Sequence, residues 1–322
     1  MFISNTATAA MMLTFLTPVF KSLPANGKGR IALTMAIPIG ANLGGMGTPI
    51  GTPPNAFAYK VLNDPTGMNM DISFGDWMMF MVPLVLVLLV ISWLLLKWFF
   101  PFKQKTIELE INGDMQHNWR TVVVAITFAV TIILWVFGKP IGINANMVAM
   151  LPIAVFAFTG VITAKDLQDI DWGVIWMVAG GFALGLAMNG TGLAKTAMDA
   201  IPFGEWSPIV ILVISGLVTF FLSNFISNTA TAALMIPILA VVCEGMGDKL
   251  NIIGGTSTVL IGIAVAASAA MCLPISTPPN AIAYSTGLIE QKDMSKTGLS
   301  VGIITLILGF SLLIVLGKQG LF

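Results

Sequence analysis

The chain has 322 residues, of which 57% are hydrophobic and 9% charged. Soluble domains carry about 25% charged residues, so a water-soluble globule of this composition would lack the polar surface to cover itself, and membrane is the expected solvent. Fifteen Lys plus Arg balance fifteen Asp plus Glu with no long basic run, which argues against nucleic acid as a partner.

The opening stretch, MFISNTATAAMMLTFLTPVF, is apolar but has no positively charged start, and its words recur deep in the chain. It is therefore not read as a targeting segment. Beyond a charged loop at 21–30, apolar stretches that can serve as membrane spans follow at about 31–46, 77–100, 120–137, 145–163, 172–190, 207–222, 230–247, 254–273 and 297–317. Several are short or interrupted by Gly and Pro, against the roughly 20 helical residues that cross a bilayer. The longest polar stretch, 101–118, reads as a linker between two halves and holds the one histidine, His117, as a solvated loop residue. Cys243 and Cys272 lie in apolar stretches and read as small buried side chains.

If the 21–30 loop and the 101–118 linker face the cytoplasm, the Lys and Arg residues divide unevenly. Lys21, Lys28, Arg30, Lys97, Lys103, Lys105, Arg120, Lys165, Lys292 and Lys296 fall inside; Lys60, Lys139, Lys195, Lys249 and Lys318 fall outside. Ten against five is a moderate positive-inside bias. It requires 207–247 to enter and leave on one side.

Two words occur twice in the same order. ISNTATAAMM at 3–12 matches ISNTATAALM at 226–235, and GTPPNAFAY at 51–59 matches STPPNAIAY at 276–284. Thr6 to Thr52 spans 46 residues and Thr229 to Thr277 spans 48, the signature of a duplicated unit. Pro278 and Pro279 lack N–H donors, so a helix through 254–290 must break there. The first copy adds four glycines between Asn42 and Thr52. Breaks inside apolar segments are tolerated only within protein or beside a water-filled cavity, and paired breaks in two repeats point to a transporter's central site. A proline kink of structural value alone is the competing reading.

The SNT word supplies hydroxyls and a carboxamide, hard oxygens without net charge that suit a monovalent cation. Helix C-termini at the breaks add partial negative charge, and helix N-termini with Asn N–H₂ and Thr O–H groups suit a carboxylate. SNT also reads as an N-cap. Apart from Arg120 and Glu244, towards the ends of their spans, no Asp, Glu, Arg or His lies in these apolar segments, so an anion held at mid-membrane draws positive charge from helix N-termini and co-bound cations. The absence of an intramembrane acid–base pair argues against an enzyme.

With SNT and TPPN each present twice, the chain resembles the divalent anion–sodium symporter family of di- and tricarboxylate carriers. The resemblance implies an all-α polytopic fold of the plasma (inner) membrane, with two inverted repeats, re-entrant hairpins, broken helices, a homodimeric scaffold and elevator-type movement. It divides the chain into 1–100, the rest of the first repeat; 101–118, a cytoplasmic linker; and 119–322, the second repeat, with an outer hairpin at 207–247, a broken helix at 254–290 and a last span at 297–317. By motif, one sodium site takes Ser4, Asn5 and the backbone near Gly51; the other takes Ser223, Ser227, Asn228 and the backbone near Ser276. Substrate carboxylates meet Asn5, Thr6, Asn228 and Thr229, with Thr52, Thr277 and Pro278 lining the pocket. Ser223 stands four residues before Ser227, and the matching position before Ser4 would be residue 0, so the first hairpin is expected to lack its entering arm and the chain to be N-terminally truncated. The function expected is sodium-coupled symport of C4-dicarboxylates or citrate. Sodium-independent exchange, a sulfate carrier and a non-transporting membrane fragment are the alternatives.

Overall fold

The computed structural model describes residues 1–24, 27–64, 67–102, 118–138, 141–143, 145–168 and 206–321, with isolated residues between 172 and 196. Most of the predicted span 172–190 and of the 101–118 linker, with His117, Lys103 and Lys105, and also Lys139 and Lys195, lie outside the described residues. Among the described residues the ordered elements are all helical. They are α1 (Asn5–Phe15), α2 (Thr17–Ser22), α3 (Lys28–Gly45), α4 (Pro53–Leu62), α5 (Phe74–Phe99), α6 (Trp119–Phe137), α7 (Ala145–Phe158), α8 (Ala164–Gln168), α9 (Pro208–Phe225), α10 (Asn228–Met246), a 3-10 turn (Gly247–Ile253), α11 (Gly255–Ala269), α12 (Pro278–Ser285) and α13 (Gln291–Lys318).

Among the described residues, five helical stretches are long and apolar enough to cross a membrane: Phe74–Phe99, Trp119–Phe137, Pro208–Phe225, Asn228–Ile253 and Gln291–Lys318. The outward side chains of α5, α6 and α7, such as Trp98, Ile126 and Met147, are apolar and exposed. In water such a surface would be untenable; against acyl chains it is the ordinary exterior of a polytopic membrane protein.

At the centre lies α11, buried on every side from Ser257 to Ala269. A helix apolar all round belongs inside, and its small residues let neighbours approach closely. Leu212 of α9 sits over Gly262, while Phe310 of α13 fills the hollow at Gly216 of α9. Cys243 and Cys272 are buried and unpaired, as the sequence predicts.

The helices around this centre form two units whose contacts are reciprocal. In the first, α1 packs on α3 and α3 on α5; in the second, α10 packs on α11 and α11 on α13. Contacts between the units are exchanged in the same manner: α1 meets α12 while α10 meets α4, and α4 meets α11 while α12 meets α3. The two run in opposite directions. Phe102, just beyond α5, covers Gly29 at the start of α3, and Lys296 near the start of α13 lies 4.2 Å from the Phe99 ring centroid. One end of the molecule thus carries the start of α3, the end of α5 and the start of α13. At the other end Gly317 of α13 abuts Gly254 before α11, and Ser257 meets the Met70 sulfur from the loop after α4. Thus α3 and α4 ascend where α11 and α12 descend, an inverted arrangement. Lys28, Arg30, Lys97, Lys292 and Lys296, all counted inside from the sequence, share the first of these ends.

The breaks differ in one respect from the sequence expectation. The prolines do not terminate the preceding helices: α3 ends at Gly45 and α11 at Ala269, eight and nine residues before Pro53 and Pro278. The two prolines instead occupy N1 and N2 of α4 and α12, where a missing N–H costs nothing and a fixed φ favours the helix. Thr52 (φ −139°, ψ 148°) and Thr277 (φ −141°, ψ 149°) are their N-caps in matching backbone conformations. Between helix end and proline run the irregular segments 46–52 and 270–277.

Candidate functional site

An irregular segment inside a membrane protein exposes carbonyls that lipid cannot satisfy. Each TPPN asparagine answers this for its own unit. The Asn55 carboxamide donates to the carbonyls of Gly45 (3.3 Å), Met46 (3.0 Å) and Thr48 (2.9 Å). Asn280 donates to those of Met271 (2.9 Å) and Leu273 (3.0 Å). A shift of 225 positions carries Asn55 to Asn280, Met46 to Met271 and Thr48 to Leu273, so the two breaks are held by the same device. Both asparagines are at most 2% exposed.

The hairpin of the second unit is α9 and α10, packed together and joined by Ile226 and Ser227. The Ser227 hydroxyl caps α10 by accepting from the Ala230 N–H at 3.1 Å; Ser227 itself is exposed. Ser223, fully buried, lies within 2.7 Å of the Asn228 carboxamide oxygen and donates to the Ala267 carbonyl at 3.0 Å. Ser276 takes another partner: its hydroxyl reaches the carbonyl of Asn224 (3.0 Å) and its carboxamide oxygen (3.3 Å), and accepts from the Leu273 N–H. Asn224 also accepts from the Cys272 N–H at 2.8 Å. This residue, which motif reading passed over, therefore ties the hairpin arm to the second break.

In the first unit the Asn5 carboxamide and the Thr52 methyl lie directly over Gly45, so close that a Cβ there would meet both. Gly51 lies against the Gly45 and Met1 carbonyls, and Met1's carbonyl accepts from Thr48 at 2.6 Å. Ser4 is the N-cap of α1 without a side-chain capping bond, and Ser4 and Thr6 are exposed.

Five of the sequence-derived residues, Asn5, Thr52, Ser223, Asn228 and Thr277, are joined across the units, whereas Ser4, Thr6, Ser227 and Pro278 are exposed. Asn5 adjoins Thr52; the Thr52 hydroxyl lies 3.2 Å from that of Ser268; Ser268 follows Ala267, whose carbonyl binds Ser223; and Ser223 contacts Asn228. Thr277 and Asn280 receive the Asn42 carboxamide, at 3.1 and 3.2 Å, from the first unit. Asn228 and Thr229 are half-buried and Pro278 is exposed. Asn42 and Ser268 carry no motif of their own, and only the fold brings them here.

Electrostatically, the N-termini of α1, α4, α10 and α12 and the C-termini of α3, α9 and α11 meet in this region. N-terminal N–H groups favour anions, and C-terminal carbonyls favour cations. The donors are neutral oxygens and amides, suited to reversible binding of small ions.

A family model described as citrate transporter (CitMHS) matches residues 1–259. The chain belongs to the citrate transporter family. It is a multi-pass protein of the plasma membrane in a family of transporters, not enzymes. An uncharacterized transporter of Haemophilus influenzae is 30% identical over 328 residues, covering 95% of this chain and 68% of that protein. A sodium-dependent dicarboxylate transporter, SdcS, of Staphylococcus aureus is 30% identical over 344 residues, covering 96% and 65%. A low-affinity phosphate transporter of Saccharomyces cerevisiae is 29% identical over 330 residues, covering 98% of this chain and 36% of that protein. The transporter thus spans about two thirds of the length of these bacterial relatives.

Proposed function

We propose that this chain forms the ion- and substrate-binding part of a sodium-coupled carrier of C4-dicarboxylates or citrate. The observation that carries the reading is the union of two duplicated, oppositely directed breaks, each lined by neutral oxygens, at a junction of helix ends of both signs. Sodium ions take Ser4, Asn5 and the Gly51 backbone on one side, and Ser223, Ser227, Asn228 and the Ser276 backbone on the other. Bound cations and the helix N-termini then favour a carboxylate at Asn5, Thr6, Asn228 and Thr229, with Thr52, Thr277 and Pro278 as walls. Thr277 suits this role: its oxygen accepts N–H groups from Asn42 and from its own helix at Asn280, which leaves its proton for a carboxylate oxygen. The sodium-dependent dicarboxylate transport named for the staphylococcal relative supports the coupling.

We place the unit boundaries at 1–100 and 119–322 around the 101–118 linker. Homodimer formation and elevator movement accompany this reading, and the exposed apolar faces of α6 and α7 fit lipid or a second copy. The phosphate transport named for the yeast relative makes an inorganic oxyanion the second substrate reading. Uptake into proteoliposomes decides among them. Labelled succinate or citrate should enter with an inward sodium gradient and be displaced by other carboxylates. Equal uptake in potassium alone rejects sodium coupling, and displacement by phosphate or sulfate but not by carboxylates moves the substrate to the oxyanions.

A further inference from the structure

The binding residues proposed above fall into two sets, one per unit, and two buried side chains outside both sets connect them. Asn42, in α3 of the first unit and 3% exposed, donates both to Thr277 and to Asn280 in the second. Ser268, in α11 of the second unit and 1% exposed, pairs with Thr52 of the first. Each thus grips the cap threonine of the opposite unit. The positions they join are sensitive ones. Asn42 lies three residues before Gly45, whose carbonyl touches Gly51, and its partner Thr277 follows Ser276. Ser268 follows Ala267, whose carbonyl binds Ser223, and its partner Thr52 follows Gly51.

From this we infer that Asn42 and Ser268 are positioning residues that couple the two cation sites, so that filling one orders the loop of the other. The inference rests on the sodium-coupled reading given above. An amide with two N–H donors is the group that can hold a hydroxyl and a carboxamide oxygen at once. Its partner Asn280 is then fully committed: two carbonyls accept from its nitrogen, and its oxygen accepts from Asn42. A displacement of the second break by a bound ion is therefore delivered to α3 through buried hydrogen bonds, which are worth more away from water. The route back runs through Ser268 and Thr52. A first ligand that orders what a second must use lowers the cost of the second, which is positive coupling.

The first unit shows that a TPPN loop can fold without the amide link. The 225-residue shift carries Asn42 to Ala267, which has no donor, and the Asn55 side-chain oxygen is buried without a partner among the described residues. Replacing Asn42 by alanine gives the second unit the same vacancy that the first already sustains.

The test is the sodium dependence of substrate uptake in proteoliposomes for wild type, Asn42→Ala, Asn42→Ser and Ser268→Ala. Sodium-induced thermal stabilisation of the purified protein is read alongside. Wild type should show a Hill coefficient for sodium above one. Asn42→Ala should bring it toward one and raise half-saturating sodium by about 5-fold or more, the low end of coupling between linked sites. Asn42→Ser, which retains one donor, should recover part of the cooperativity. A wild-type Hill coefficient in Asn42→Ala overturns the inference, as does wild-type sodium dependence with a Hill coefficient of one. If Asn42→Ala fails to fold, Ser268→Ala decides by the same criterion, since it removes one hydroxyl from a helix of small residues. Wild-type uptake and thermal stability both indifferent to sodium overturn the sodium-coupled reading itself, and this inference with it.

Discussion

Replacing Gly45 by alanine adds a single methyl group where two of the proposed binding residues crowd the first break. The new Cβ would lie 2.5 and 2.9 Å from the nitrogen and oxygen of the Asn5 carboxamide and 2.6 Å from the Thr52 methyl. Ordinary carbon contacts begin near 3.5 Å, so each neighbour must retreat by roughly 1 Å. Thr52 is not free to turn, because its hydroxyl is engaged with Ser268. Asn5 therefore takes most of the displacement. Overpacking of this kind costs about 1–3 kcal/mol, equivalent to roughly 5- to 150-fold in affinity if it falls on ligand binding. The neighbouring Gly44 is the control, since a Cβ there meets nothing within 4 Å. In proteoliposomes Gly45→Ala should raise half-saturating sodium and substrate within that range, while Gly44→Ala stays within about twofold of wild type. Wild-type half-saturation in Gly45→Ala would refute the placement of Asn5 against this glycine as a determinant of binding.

Three further outcomes test other parts of the structure. Asn280→Ala frees the Met271 and Leu273 carbonyls and the Asn42 amide in the interior; with each orphaned group costing about 1–3 kcal/mol, thermal stability in detergent should fall markedly, and an unshifted melting curve would contradict the role of Asn280 in holding the break. Asn228→Ala removes the oxygen that Ser223 touches and should abolish uptake while leaving expression and melting close to wild type; retained uptake removes Asn228 from the site. Gly298→Ala drives a methyl into the Met271 carbonyl and the Cys272 backbone, so it should lower folded yield in fluorescence size-exclusion chromatography, with a normal monodisperse peak as the contrary result.

The sequence carried the duplication openly, because identical words at matched spacing survive without any knowledge of the fold. It also revealed that the chain must be interrupted near TPPN. Where the interruption lies was less legible. Proline is read most readily as a helix breaker, yet Pro53–Pro54 and Pro278–Pro279 open helices, and the preceding ones stop at Gly45 and Ala269. The asparagine of TPPN stood in both quoted words without a role, although its carboxamide is what satisfies the loosened backbone. Asn42, Ser268 and Asn224 were beyond reach for a different reason. The Asn42 bonds cross 235 and 238 residues, and their existence depends on how two oppositely directed units interlock, which no local pattern encodes. Burial of α11 on all sides was equally hidden, since a fully apolar helix reads alike whether lipid or protein surrounds it.

The interlocking bears on the order in which ligands bind in the proposed cycle. Helix N-termini and C-termini each carry roughly half an elementary charge, of opposite sign. At the junction of the two units, among the described residues, four N-termini are opposed by three C-termini, those of α3, α9 and α11. The field of the helices alone is therefore nearly balanced, and an anion entering an empty site gains little from it. Cations that neutralise the carbonyl ends leave the N–H ends unopposed, and only then does a carboxylate meet a net positive environment. On this reading, cation binding first is a consequence of helix ends of both signs converging on one site. Thr52 and Thr277 stand where the two fields meet, each held by a residue of the other unit. Loss of a cation from either side would then weaken the carboxylate site as a whole, because neither unit alone supplies both the charge and the hydroxyls that hold it.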